Sequence, residues 1–479
     1  MKRIPIYIDS DNNSAGCPKN LWQDSRRKLL LLRVGITPLF LATILGASGW
    51  AQAADLLETY HAAQANDPVF AAARAAQQAG QEKLSQGRSL LLPSINFNAN
   101  TTYNDLTTRY TPELPPMLTN TTIGYNSNGY GLTLVQPLFR VQNWLAYSES
   151  ELQAAQAALQ FKIAEQDLIV RVAQAYFDVL IAQDTVTLVE AQKSAISEQL
   201  EQAKRNFEVG SATITDTLEA QARYDLTGAQ EIAAKNDLEI KRSTLQQLTN
   251  AMPGDLSHLG KLFKLESPQP AEIDKWLEAS QQTNLQLAIS QANDQIAEKE
   301  VERNRGGHYP TLDLVANYTQ ANTNGSSFGG SLGLASDNTT KSVGVQLNFP
   351  LYEGGVVSSK LREAVANRER AKQDLENARR NVEHLTRQAY LGVVSGISQV
   401  QALQQALTSS QSALDASKLG QEVGVRTNLD VLNAQQQLYS TRRDLYQAQY
   451  NYLLSELRLK QAVGSLGEED LEKVNQTLH

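Results

Sequence analysis

The sequence predicts an α+β membrane protein built by duplication, in which a strand-strand-helix-helix repeat occurs twice. Three observations predict it. Matching landmarks recur 214 residues apart: Val209-Gly210 with Asp216 six residues on, then Val423-Gly424 with Asp430. Four segments alternate apolar and polar residues with the period of two that a strand needs when one face is apolar and the other wet. Two proline-free stretches, Val141 to Phe207 and Val356 to Leu419, hold a helical pattern for more than 60 residues each, roughly 90–100 Å at 1.5 Å per residue. Such helices are too long to be buried in an ordinary domain and must find neighbours along their length. No Pro/Ser/Gly linker separates the halves, so the chain reads as one fused duplication, each half carrying a helix ahead of its strands.

Residues 1–53 read as an N-terminal extension with a signal peptide. Arg26-Arg27-Lys28 precedes an apolar run from Leu29 to Ile44, interrupted by Arg33 and Pro38, and Ala51-Gln52-Ala53 has the small-x-small form of a cleavage site. Cleavage near Ala54 removes the single cysteine, Cys17, which precedes the apolar run and so does not serve lipidation. A chain without thiols suits an oxidising compartment without disulfides; thiolate metal sites and cysteine nucleophiles are excluded. Cleavage also removes seven of the 43 basic and three of the 51 acidic residues, leaving 36 against 48 and a net charge of −12. Nucleic acid is therefore not an expected partner. Past Ala54 no stretch approaches the roughly 20 apolar residues of a membrane helix. If the chain spans a membrane, it does so with strands.

The first repeat is expected over residues 54–270. Its first strand, about 93–104, sets Ile95, Phe97, Ala99, Thr101 and Tyr103 against Ser94, Asn96, Asn98, Asn100 and Thr102. Its second, about 121–139, carries Tyr130, Leu132 and Leu134 on one face, and the connection with Pro112, Pro115 and Pro116 is a loop. Long helices follow over about 140–208 and 212–250. The second repeat, 271–479, places strands over about 310–320, with Leu312, Leu314, Ala316 and Tyr318, and over about 341–352. There Val343, Val345, Leu347, Phe349 and Leu351 alternate with Ser342, Gly344, Gln346 and Asn348. The Gly-rich segment Phe328 to Gly333 is a loop, helices run over about 354–421 and 427–463, and residues 464–479 form a C-terminal equatorial segment.

Each strand reaches the roughly 9–11 residues that cross a bilayer when tilted. Four strands are fewer than the roughly eight of the smallest transmembrane barrels, so several chains must share one barrel. In the last helix Val431, Leu438, Leu445, Tyr452 and Leu459 form one seven-residue seam, with Leu432, Tyr439, Tyr446 and Leu453 in a second beside it. Two adjacent seams call for a packing neighbour on each side, as in a cylinder of helices. A lipid-embedded barrel continued by such a cylinder is a duct.

Catalysis has no foothold. His61, His258, His308, His384 and His479 are scattered, and the chain lacks His-x-x-x-His, Gly-x-Ser-x-Gly and a phosphate loop. Neither a cofactor nor a resident metal is expected. The alternative is a trimeric, barrel-anchored structural fibre or adhesin, which shares strands, heptads and secretion. It would carry its anchor at one terminus, whereas here both strand pairs lie inside the chain.

The chain also resembles the TolC family of outer-membrane channel proteins over essentially its whole mature length. The likeness is densest in Gly424-Val425-Arg426-Thr427-Asn428-Leu429-Asp430-Val431-Leu432-Asn433-Ala434, in Tyr450-Asn451-Tyr452-Leu453, from Gly464 to Leu471, and from Gly210 to Tyr224 with Ile214-Thr215-Asp216. The resemblance implies a homotrimer whose chains form a twelve-stranded β-barrel in the lipid of the cell outer membrane, continued into the periplasm by a long α-helical tunnel. Residues Ala251 to Pro270 and the tail after Gly464 would form a mixed belt around it. The implied function is an exit duct for tripartite efflux pumps and type I protein secretion. Docking with a periplasmic membrane-fusion adaptor and an inner-membrane transporter of RND, ABC or MFS type would open it.

The same resemblance assigns a gate. Val209, Gly210, Val423 and Gly424 are the implied adaptor-contact tips. In the family a tyrosine, an arginine and aspartates hold the tips closed. By position the arginine is Arg426, with Thr215 and Asp216 as its partners, and Asp430 is the pore carboxylate, three copies of which form a ring. Gln421 stands where the family has the gate tyrosine, and Asn433 where it has a second ring aspartate. An amide at 421 still donates to Asp216, so that change is expected to loosen the latch without abolishing it. Asn433 removes three negative charges from the constriction, which is expected to weaken cation block and cation preference.

Overall fold

The computed structural model describes residues 55–109, 121–260, 263–325 and 335–478. The expected leader with Cys17 and Ala51-Gln52-Ala53, the loop residues Pro112, Pro115 and Pro116, the segment Phe328 to Gly333, and His479 lie outside them. In chain order the elements are α1 (Leu56–Asn66), α2 (Pro68–Ser89), β1 (Ser94–Thr108), β2 (Thr121–Phe139), α3 (Val141–Glu208), α4 (Ile214–Thr249), α5 (Ile273–Thr283) and α6 (Leu285–Arg305). After a 3-10 turn at Gly306–His308 come β3 (Thr311–Thr323), β4 (Ser336–Asn348), α7 (Val356–Glu422), α8 (Asn428–Val463) and α9 (Glu468–Asn475).

Each strand pair is preceded by two helices, where the sequence suggests one. Asp67 parts α1 from α2: its Oδ2 accepts from the Phe70 N–H at 3.0 Å, and Pro68 fills the first helical position, where its missing N–H leaves nothing unpaired. Asn284 parts α5 from α6, its Oδ1 accepting from the Leu287 N–H at 2.9 Å. Burial pushes the Asp67 carboxyl up, but the Arg171 guanidinium at 2.7 Å and the Phe70 N–H outweigh it and hold it below the usual range.

The four strands form one antiparallel sheet in the order β1-β2-β3-β4, so the two repeats meet where β2 pairs with β3. The register lines up Ile95, Leu134, Ala316 and Val343 in one row, and Asn96, Thr133, Asn317 and Ser342 in a neighbouring row on the opposite face. The apolar row is uncovered in the single chain, Ile95 being 67% and Val343 77% exposed. β4 ends at Asn348, before Phe349 and Leu351, since Pro350 has no N–H to give a ladder. At the base of the sheet Arg140, the N-cap of α3, grips the carboxylate of Asp313 on β3 with Nε at 2.8 Å and Nη2 at 2.6 Å. That fork fixes the direction in which the chain leaves the sheet.

The longest helices, α3 and α7, have 68 and 67 residues, and α2 and α4 lie along α3 as α6 and α8 lie along α7. α3 also touches α6 and α8, which joins the repeats. The main core gathers around the middle of α3, where Leu168, Val172, Tyr176, Phe177 and Leu180 meet Leu56 of α1, Leu453 and Leu457 of α8, and Leu471 of α9. Burying each such side chain contributes roughly 1.5–3 kcal/mol. The two ends of the described chain close over this core. The Leu56 N–H donates to Asn475 Oδ1 and Asn475 Nδ2 to Asp55 Oδ2, both at 2.9 Å. The segment after α4 is held by Tyr452, whose hydroxyl accepts from the Glu266 N–H at 3.1 Å and lies 2.7 Å from the Glu456 carboxylate. Among the described residues no helix is long and apolar enough to cross a membrane.

Candidate gate at the helical turns

The α3–α4 and α7–α8 turns are built alike. Val209 and Val423 end the long helices near φ −90°, and Gly210 and Gly424 follow at φ 75° and 79°, a left-handed conformation that glycine adopts without strain. The chain then folds back: the Ser211 N–H donates to Asn206 O at 2.8 Å, and the Val425 N–H to Gly420 O at 2.9 Å. Each returning helix starts with a capping box. Asp216 Oδ2 accepts from the N–H and hydroxyl of Thr213 at 2.9 and 2.7 Å, and Asp430 Oδ2 accepts from those of Thr427 at 2.8 Å each. Val209 and Val423 are left exposed at the turns, at 78% and 67%.

Above the turns the two seams of α8 part company. Leu432 enters a cluster with Ile196, Leu200 and Ala203 of α3 and Ala220 of α4, while Val431 and Leu438 pack on Leu414 of α7. At this end each seam thus serves a different neighbour, and α8 is held between α7 and the first hairpin.

Arg426 points back along its own hairpin, with Nη1 3.8 Å from Asp430 Oδ1. Gly420 makes room for it, since a Cβ there would stand 2.6 Å from Arg426 Cγ. The N–H and hydroxyl of Thr427, with the charge of Arg426 added, hold the Asp430 carboxyl below its ordinary pKa against a small opposing effect of burial. Gln421 Nε2 donates to Asn428 Oδ1 at 3.3 Å, within its own hairpin. Thr215 and Asp216 stay on the other turn, and among the described residues neither bonds to Arg426 or Gln421 in the single chain. Asn433 Oδ1 accepts from Nη2 of Arg223 on α4 at 3.0 Å. Sequence reasoning missed Arg223; its one signal is that the duplicate position, 214 residues on, is Gln437. Among the described residues no group of His, Cys, Asp and Glu is placed to hold a metal ion.

The profile of the family described as "Outer membrane efflux protein" matches residues 59–251 and 276–465, both sets of turns included. "Outer membrane protein TolC" of Escherichia coli is 33% identical over 458 residues, covering 94% of this chain and 89% of that protein. "Alkaline protease secretion protein AprF" of Pseudomonas aeruginosa is 34% identical over 462 residues, covering 93% and 92%. The crystal structure of the Campylobacter jejuni CmeC outer membrane channel superposes with a TM-score of 0.72 at 16% identity, covering 94% of this chain and 98% of that one.

Proposed function

This chain belongs to the outer membrane efflux protein family, and on that premise we propose that it works as a homotrimer gated at its helical turns. It is an outer-membrane channel that serves as exit duct for efflux and type I secretion. The observation that carries this reading is the family match, which spans both repeats with strands and turns included. Three chains supply twelve strands, which meets the need of a four-stranded sheet for partners on both edges. At the other end the exposed Val209-Gly210 and Val423-Gly424 turns receive a periplasmic adaptor, which links the duct to an inner-membrane transporter. A photo-crosslinking residue at Val423 is expected to capture an adaptor in cells; no adaptor on an expressed, assembled trimer overturns the reading.

The latch joins neighbouring chains. Arg426 is 60% exposed and sits 3.8 Å from its own Asp430, beyond hydrogen-bond reach, so its guanidinium is available to Thr215 and Asp216 of the next protomer. Asp216 spends Oδ2 on its cap and offers Oδ1. Gln421 adds a neutral amide to the same turn. Charged hydrogen bonds between solvated helix ends are firm enough to hold a gate, yet exchangeable when a docking partner supplies replacements. Asp430 lines the constriction one turn from Asn433. Arg426→Ser is therefore expected to raise the conductance of reconstituted trimers, and conductance equal to the parent's removes Arg426 from the latch.

A further inference from the structure

Arg223 reaches from α4 to two side chains of α8. Nη2 donates to Asn433 Oδ1 at 3.0 Å and Nη1 to Gln436 Oε1. Among the described residues no other hydrogen bond joins α4 to α8. Both acceptors are neutral amides, and Arg223 forms no ion pair with a carboxylate among the described residues. No carboxylate therefore offsets the charge of the guanidinium at the contact. Asn433 follows Asp430 by three residues and so shares its face of α8. The duplication supplies no second copy, because Gln437 bonds within its own helix to Thr441 Oγ1 at 3.2 Å.

We propose that Arg223 straps α8 to the first hairpin at the closing end, and that its three uncancelled charges in the trimer oppose the three Asp430 carboxylates, making the constriction less cation-selective. The inference rests on the reading above that the first turns of α8 line the constriction. It adds two effects of one side chain that can be separated. The two-pronged contact holds the end closed, whereas the charge sets which ions approach Asp430. A cation beside an acidic ring lowers the local concentration of cations and weakens their binding to it.

The test uses full-length trimers in planar lipid bilayers, with conductance, reversal potential in a KCl gradient and block by Mg2+ as readouts. Arg223→Gln is expected to raise closed-channel conductance and to tighten Mg2+ block, each by roughly fivefold or more, and to shift the reversal potential toward cations. Arg223→Lys keeps the charge without the fork, so conductance rises while selectivity stays with the parent. Asn433→Asp gives Arg223 a carboxylate to neutralise, so it tightens block less in the parent than in the Arg223→Gln background. If Arg223→Gln matches the parent in all three readouts, the proposal is overturned; a change in conductance alone overturns the charge half. Asp430→Asn keeps the two failures apart. Mg2+ block unchanged by Asp430→Asn sinks the constriction reading, whereas block relieved there with no effect at Arg223 sinks this inference only. Should Arg223→Gln fail to assemble, Arg223→Lys decides the strap half through conductance, and Arg223→Met, neutral and of similar length, decides the charge half through reversal potential and Mg2+ block.

Discussion

Glu149 on α3 is 6% exposed, and its nearest cation, Arg303, stands 3.4 Å away at Nε without hydrogen-bond geometry while binding Glu300 through Nη2. Burial pushes the Glu149 carboxyl up to about 7; Arg303 opposes the shift and Glu300 reinforces it. A pKa higher in the folded than in the unfolded state makes ionisation destabilising. The penalty is absent well below the ordinary carboxylate range, grows as pH rises from that range to about 7, and levels off above it. Glu149→Gln is accordingly expected to stabilise the assembled protein at pH 8 by roughly 1–3 kcal/mol and to leave it unchanged at pH 4, read as the thermal dissociation midpoint in detergent. An equal gain at both pH values would show that packing, not charge, is responsible. The geometry of the candidate gate residues was only partly legible at this scale. The type and position of Arg426 could be read from the sequence, but its placement 3.8 Å from Asp430 depends on the turn and on the space left by Gly420. Arg223 was illegible because its partners lie 210 and 213 positions away, where no spacing rule reaches.

Strand faces carry their own test. Ile95, Leu134, Ala316 and Val343 form a row that needs lipid, and Asn96, Thr133, Asn317 and Ser342 form a row that needs water. Val343→Lys puts an ammonium on the lipid side, at a cost of roughly 2–4 kcal/mol per chain near the bilayer midplane. It is expected to cut the yield of inserted trimer. Ser342→Lys, one residue away and facing oppositely, is expected to insert normally; equal yields from the two variants would contradict the assigned faces. The dyad pattern made these faces readable, since a period of two survives any pairing order. The pairing of β2 with β3 was not readable, because it joins segments separated by the whole of α3 to α6. Nor were the breaks at Asp67 and Asn284, which need only one capping side chain each.

For the whole molecule, the duplication was the most legible property, because the turns and helix caps repeat together 214 positions apart, with the strands following at nearby offsets. The central core was less so: it draws on α1 and α9 from opposite ends of the chain, and the Leu56–Asn475 bond spans 419 positions. The open sheet has a further outcome. β1 and β4 are edges, and each needs the other edge of a different chain, a head-to-tail contact that closes only as a ring. A subunit with one spoiled edge still joins through its sound one and takes its partners out of use with it. In a cell making equal amounts of sound and spoiled chains, about one proposed trimer in eight contains only sound subunits, so lesions at β1 or β4 behave as dominant negatives, whereas losses of expression behave as recessive.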